Sequence, residues 1–296
     1  MNFRKILALS LLAPAFLAPG AGALNNFRHN HTATLLPDGN ILITGGVLNT
    51  VTVTNSVEMY DMPTNTYINW AGGLITARSS HTATLMSDGR VLIAGGFGGT
   101  GLPIPVANAL EICDPRLTVR TCAAAGVSMI TARGGHTATL LSRGPRAGQV
   151  LLCGGGGAGT SVTGNCETFN PGTITPFVAP TVLAAGAMVS PREGHATVLL
   201  RSGKVFVTGG RRRDLADSLW IYEPMNEMYD PATGAGVWTP VAALLQGRIN
   251  HTATVLNNGK IMIAGGYNYS NARYCKAGED SLEDECWHIK EDPFNI

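Results

Sequence analysis

Arg28-His29-Asn30-His31-Thr32-Ala33-Thr34-Leu35 opens a stretch that the chain repeats four more times. It returns as Arg78-Ser79-Ser80-His81-Thr82-Ala83-Thr84-Leu85 and as Arg133-Gly134-Gly135-His136-Thr137-Ala138-Thr139-Leu140. The fourth and fifth copies are Arg192-Glu193-Gly194-His195-Ala196-Thr197-Val198-Leu199 and Arg248-Ile249-Asn250-His251-Thr252-Ala253-Thr254-Val255. His31, His81, His136, His195 and His251 thus recur at a nearly constant interval. A period of roughly 50–60 residues marks an array of equivalent units.

Each unit continues alike. A polar turn such as Pro37-Asp38-Gly39-Asn40 or Ser87-Asp88-Gly89-Arg90 follows the first apolar run, and Asp-Gly between two such runs signals a hairpin. An apolar strand comes next, for example Ile41-Leu42-Ile43 or Val205-Phe206-Val207, and ends at a diglycine. The diglycines are Gly45-Gly46, Gly95-Gly96, Gly154-Gly155, Gly209-Gly210 and Gly265-Gly266. Four units then carry a third strand with a Glu: Val57-Glu58-Met59-Tyr60-Asp61, Leu110-Glu111-Ile112-Cys113-Asp114, Cys166-Glu167-Thr168-Phe169-Asn170 and Asn226-Glu227-Met228-Tyr229-Asp230. Trp70 and Trp238 close a fourth strand in the first and fourth units.

A diglycine after a hydrophobic strand, then Glu-x-Tyr-Asp, then Trp resembles the kelch family over roughly Arg28 to Gly266. The resemblance implies an all-β, kelch-type β-propeller of five four-stranded blades with a divergent last blade. Blades are expected near 24–73, 74–128, 129–187, 188–243 and 244–296, so that one propeller spans 24–296. In the last unit Trp287 stands a little closer to its diglycine than Trp70 and Trp238 do to theirs, as a divergent outer strand closing the ring. The alternative is a ring completed by a partner or further segment. Kelch blades also imply a buried Arg–Glu contact in each unit that holds neighbouring blades together.

The strand alignment sets the cysteine pairing among fifteen possible connectivities. Three local pairs are expected: Cys113–Cys122, Cys153–Cys166 and Cys275–Cys286. Their even number suits an oxidising compartment. Positions 1–23 read as a secretory signal: Arg4 and Lys5, an apolar run from Ile6 to Leu17, then Ala21-Gly22-Ala23. The mature chain would be secreted or periplasmic, with no stable membrane insertion after cleavage. A formal net charge of +1 gives no electrostatic reason for a nucleic-acid partner.

Arg28, His31, Arg78, His81, Arg133, His136, Arg192, His195, Arg248 and His251 recur in every unit. Their repetition assigns them to the architecture, the histidines bonding adjacent backbone, rather than to a metal site. Function is expected where the repeat breaks. Arg211-Arg212-Arg213 follows the fourth diglycine, with Trp220 nearby, while Tyr267 and Tyr269 follow the fifth. Guanidinium groups bind carboxylate, sulfate or phosphate bidentately, and an aromatic beside them suits sugar stacking. These six residues are the expected ligand site, for a glycan or protein partner at the channel mouth, with no catalytic residue, cofactor or metal.

The alternative is a carbohydrate-active enzyme. The repeat style resembles the propeller domain of galactose oxidase, whose crosslinked Tyr precedes the position of the repeat histidine by two. Those positions here are His29, Ser79, Gly134, Glu193 and Ile249, so copper oxidase chemistry is not expected. Kelch propellers that epimerise sialic acid are the nearer enzymatic comparison, with Glu193 as acid/base and the arginines as carboxylate clamp.

Overall fold

The computed structural model describes residues 27–49, 51–99, 104–105, 108–157, 161–173, 177–214, 220–232 and 234–268. The expected signal segment, Tyr269 and the Cys275–Cys286 pair lie outside them.

The described residues form antiparallel strands and no helix. Blade one consists of Thr32–Leu35, Ile41–Thr44, Val57–Asp61 and Thr66–Asn69, in that spatial order. Blade two is Thr82–Leu85, Val91–Ala94, Ala109–Cys113 and Cys122–Ser128. Thr137–Leu140, Val150–Cys153, Asn165–Asn170 and Thr181–Ala187 form blade three. Blade four is Ala196–Leu199, Val205–Thr208, Asn226–Asp230 and Val237–Val241. The fifth unit shows a hairpin, Ile249–Val255 with Ile261–Tyr267. Its expected third and fourth strands fall on 269–296, outside the described residues.

First strands of successive blades lie side by side, one to two through four to five. Their Thr and Ala side chains allow this close approach. Between blades the cores are apolar: Leu42, Met59 and Trp70 of blade one pack with Val91, Ile93 and Cys113 of blade two. Leu92 and Leu110 meet Val150, Leu152 and Phe169, and Leu151 and Ala185 meet Val205, Val207 and Tyr229. Each such fully buried aliphatic side chain is worth about 1.5–3 kcal/mol.

The diglycine is explained by the next blade. Gly45 has φ +59°, and a Cβ there would stand 2.7 Å from His81 Cε1; a Cβ on Gly46 would stand 2.9 Å from His31 Cβ. One glycine thus seats the following blade's histidine ring and the other the Cα and Cβ of its own blade's histidine. The Gly46 N–H also donates to Arg78 C=O at 2.8 Å, a bond repeated from Gly96 to Arg133, Gly155 to Arg192 and Gly210 to Arg248.

His31 and His251 meet backbone groups, as expected from sequence, whereas the imidazoles of blades two to four bond threonine side chains. His81 Nε2 lies 2.8 Å from Thr44 Oγ1, His136 Nε2 2.9 Å from Thr82 Oγ1, and His195 Nε2 2.9 Å from Thr137 Oγ1. Burial, reinforced by the neighbouring arginine, lowers the pKa of His81 to about 3 and that of His195 likewise. These rings are therefore neutral staples between blades.

The Arg and Glu of each of the first four units pair, buried, as expected. Arg28–Glu58, Arg78–Glu111, Arg133–Glu167 and Arg192–Glu227 are buried ion pairs within single blades. Arg sits at the start of its blade's first strand, across from the third strand of the same sheet, so the partner is local. The inter-blade task falls on the carboxylate's second role: Glu227 accepts N–H bonds from Val189 and Ser190 of the incoming linker at 2.7 and 3.2 Å.

Both ends of the array are exposed among the described residues. Thr252, Thr254, Met262 and Ala264 face solvent on the fifth hairpin, as do Ala33 and Leu35 on blade one. Cys113–Cys122 and Cys153–Cys166 are disulfides, each joining directly paired neighbouring strands. They fit an extracellular or periplasmic compartment. No helix among the described residues is long and apolar enough to cross a membrane.

Candidate functional site

The segment before each first strand and the loop after each diglycine share one face of the molecule. There the residue following each repeat Arg meets the residue following the diglycine in a short antiparallel rung. The five rungs are His29 with Val47, Ser79 with Phe97, Gly134 with Gly156, Glu193 with Arg211, and Ile249 with Tyr267. The backbone repeats while the side chains differ in every blade, which is how a rigid scaffold carries a specific surface.

An inner circle of backbone bonds holds the rungs. Ser80 N–H donates to Asn30 C=O at 2.9 Å, Gly135 to Ser80 at 3.0 Å, Gly194 to Gly135 at 3.0 Å and Asn250 to Gly194 at 3.2 Å. All five residues have φ between +51° and +63°. This left-handed conformation suits Gly and Asn and explains why the position before the histidine is so often one of them.

Blade three contributes only glycine to its rung, and the neighbours lean over it. A Cβ on Gly134 would stand 2.5 Å from the Phe97 ring, and one on Gly156 2.5 Å from Glu193 Oε2. Phe97 and Glu193 therefore converge from blades two and four above a bare glycine floor. Glu193 is held by Arg211, whose Nη2 is 2.8 Å away.

The arginine triplet is a strand, Arg211–Arg213, paired with Trp220–Tyr222. Alternation puts Arg211, Arg213, Trp220 and Tyr222 on one side of this hairpin and Arg212 on the other. The Arg211 and Arg213 guanidiniums lie 3.9 and 4.4 Å from the Trp220 ring centroid, within cation–π range. Arg212 Nε is 3.2 Å from Glu223. Burial alone raises the Glu223 pKa. Hydrogen bonds from Ser190 Oγ and Met225 N–H, with Arg192 and Arg212 nearby, bring it below the ordinary range. Tyr222 meets Tyr267 edge-on, ring centroids 6.5 Å apart.

The structure thus gathers five expected residues, Arg211, Arg212, Arg213, Trp220 and Tyr267, on one sector of the mouth. It changes the role of Trp220, whose ring is occupied by its own arginines rather than presented alone. Arg211 and Arg212 are tied to Glu193 and Glu223, so the sector is a mixed donor–acceptor surface with an aromatic centre. Phe97 and Glu223 were missed by sequence reasoning. Phe97 is identifiable once the post-diglycine position is recognised as the rung, since it aligns with Arg211 and Tyr267. Glu223 carries no repeat signal. Among the described residues, no group of three His, Cys, Asp or Glu side chains is placed to hold a metal ion.

Comparison with known proteins agrees with this geometry. Residues 30–266 match the family described as the KLHDC2/KLHL20/DRC7 Kelch-repeats domain. No curated protein sequence matches. The solved structure of YjhT is similar with a TM-score of 0.66 at 15% identity, covering 82% of this chain and 78% of YjhT. A fungal alcohol oxidase of the AA5 family, solved in complex with copper, is similar with a TM-score of 0.51 at 18% identity, covering 80% of this chain and 58% of the oxidase. At such identities the structural likeness concerns the fold alone. With its repeats matched over most of its length, the chain belongs to the kelch-repeat family and folds as a kelch β-propeller.

Proposed function

We propose that this protein is an exported, non-catalytic binding module that takes an acidic glycan at the mouth between blades two and four. The observation that carries this reading is the convergence of Phe97, the Glu193–Arg211 pair and the Arg213–Trp220 stack around the glycine floor of blade three. An apolar ring face, guanidinium forks and a carboxylate acceptor on adjacent blades are the groups that sugar hydroxyls, ring C–H faces and a sugar carboxylate use. Two disulfides support export. The test is a glycan-array screen of the chain from Leu24 beside an Arg211/Arg212/Arg213→Ala variant. Acidic glycans retained by the wild type and lost by the variant are expected. No glycan binding by a folded wild-type chain contradicts the proposal and moves the weight to a protein partner.

A second reading, a carbohydrate-active enzyme, is favoured by one feature: Glu193 is a carboxylate held at the mouth by an arginine, as an acid/base group would be. Turnover of a bound sugar, abolished by Glu193→Gln while binding persists, would select it.

A further inference from the structure

The turns on the face opposite the mouth form two arcs. Those joining first and second strands lie nearer the axis, and those joining third and fourth strands lie outside them. Hydrogen bonds tie the arcs together: Met62 N–H donates to Asn40 Oδ1 at 3.0 Å in blade one, and Arg116 Nη1 to Asp88 C=O at 2.6 Å in blade two. Gly, Pro, Asn, Asp and Ser ordinarily fill such turns. The outer arc adds large apolar side chains in three consecutive blades: Met62, then Leu117 and Val119, then Phe177 and Val178. All are more than half exposed, Val119 at 69% and Phe177 at 78%. Single exposed apolar residues call for no explanation, but their recurrence at one structural position does.

The inner arc carries cations. Arg143, Arg201 and Lys260 stand exposed on the turns of blades three, four and five. These turns are continuous. A Cβ on Gly203 would stand 2.6 Å from Arg143 Cβ, so blades three and four touch here, and Arg201 Nη2 donates to Asn257 C=O at 3.2 Å, joining four to five. None of the three cations forms an ion pair among the described residues. Behind them the buried Arg146 guanidinium bonds Thr168 Oγ1, Ala184 C=O and Gly234 C=O rather than a carboxylate. Asp230, paired with Lys204 at 2.8 Å, is the one acidic residue in the described turns of these three blades on this face. The formal net charge of +1 conceals this asymmetry. A charged surface responds to the charge within a Debye length, about 10 Å at 0.1 M salt.

We propose that this face docks reversibly on an anionic phospholipid surface, with Arg143, Arg201 and Lys260 against the headgroup phosphates and Leu117, Val119 and Phe177 in the interfacial layer. Apolar side chains beside cations on one face are the two components of interfacial binding. A fluid interface takes in separate side chains projecting from successive blades. A protein partner would need a shaped pocket for each, at the packing density of a protein core. Docking in this way turns the mouth toward solvent, so the proposal is independent of what the mouth binds.

Co-sedimentation of the chain from Leu24 with vesicles tests this, using phosphatidylcholine alone and phosphatidylcholine with phosphatidylglycerol in equal parts. The wild type should partition at least about tenfold more strongly onto the anionic vesicles. Each cation near such a surface is worth about a fivefold gain, so Arg143/Arg201/Lys260→Gln should lose about a hundredfold. Val119/Phe177→Ser should lose at least about tenfold. All the substituted side chains are exposed, and circular dichroism checks that each variant folds as the wild type does. Arg211/Arg212/Arg213→Ala, altered at the mouth, should partition like the wild type. Wild-type chain that stays in the supernatant, or a Gln variant that binds as well as wild type, overturns the inference. Loss in the Gln variant with no loss in the Ser variant would make the contact a purely electrostatic one with any polyanion, and overturns the lipid assignment. Loss in the mouth variant would place the contact at the mouth and overturns it too.

Discussion

Replacing Glu167 by Gln isolates the central packing device of the blade. Glu167 is 1% exposed; its Oε1 faces Arg133 Nη2 at 2.8 Å and its Oε2 accepts the Ile130 N–H. Glutamine fills the same volume but offers one acceptor and turns an NH₂ group toward one of those two donors. The Arg133 charge stays in place, since its Nη1 remains on Gly154 and Asn165 C=O, both at 2.7 Å. Breaking a buried pair this way costs about 3–5 kcal/mol, because an uncompensated charge is left inside. Asp114→Asn is the control: its partner Arg116 is 53% exposed, and such surface pairs contribute about 0–1 kcal/mol. Urea unfolding followed by circular dichroism should move the Glu167→Gln midpoint down by roughly 1–2 M at a slope of about 2–3 kcal/mol/M. Asp114→Asn should shift it by less than about 0.5 M on the same slope. Equal shifts in the two variants would refute the assignment of the repeat Glu to a buried structural role.

Further outcomes follow from the same geometry. Gly154→Ala places a Cβ 2.5 Å from Arg192 C=O and 2.7 Å from His195 Cε1 at φ +66°; it should lower the melting temperature far more than Gly39→Ala, whose Cβ meets nothing within 4 Å. His81 and His195 titrate near 3 in the fold against an ordinary value of 6.5, so the unfolded chain binds more protons between those values. Their stabilising contribution is complete above about pH 6.5 and falls as pH drops toward 3; proton uptake on unfolding, measured at pH 5 to 6 above most carboxylate titration, should approach one per buried histidine. Replacing Cys113 and Cys122 together by Ser, which opens a loop of sequence separation 9, should cost about 2–3 kcal/mol in chemical unfolding; non-reduced peptide mapping should return Cys113–Cys122 and Cys153–Cys166 rather than a cross-blade pair.

The repeat made the fold legible because each recurring residue answers a demand of every blade junction. A histidine ring needs a glycine to sit on, so His81 and Gly45 recur together although they belong to different units. The pairing of Arg133 with Glu167 within one unit was anticipated, but not that the same carboxylate also accepts the linker N–H of Ile130, because sequence gives the partners' types and not the backbone that meets them in space. The mouth was half legible. Arg211, Arg212 and Arg213 stood out as a break in the pattern, yet the pairing of Arg211 with Glu193 and of Arg212 with Glu223 depends on a rung and a loop that meet only in space. Phe97 was overlooked because one aromatic after a diglycine carries no signal until the rungs align it beside Glu193.

The account makes the repeated residues architectural and assigns binding to the residues that vary at the mouth. Isothermal titration of the strongest array-selected acidic glycan tests this division most directly, comparing wild type, Phe97→Ala, and Val119→Ala as an exposed position on the opposite face. The account predicts at least about a tenfold loss of affinity for Phe97→Ala, equivalent to about 1.4 kcal/mol, with Val119→Ala unchanged. Equal affinity for all three proteins would contradict it.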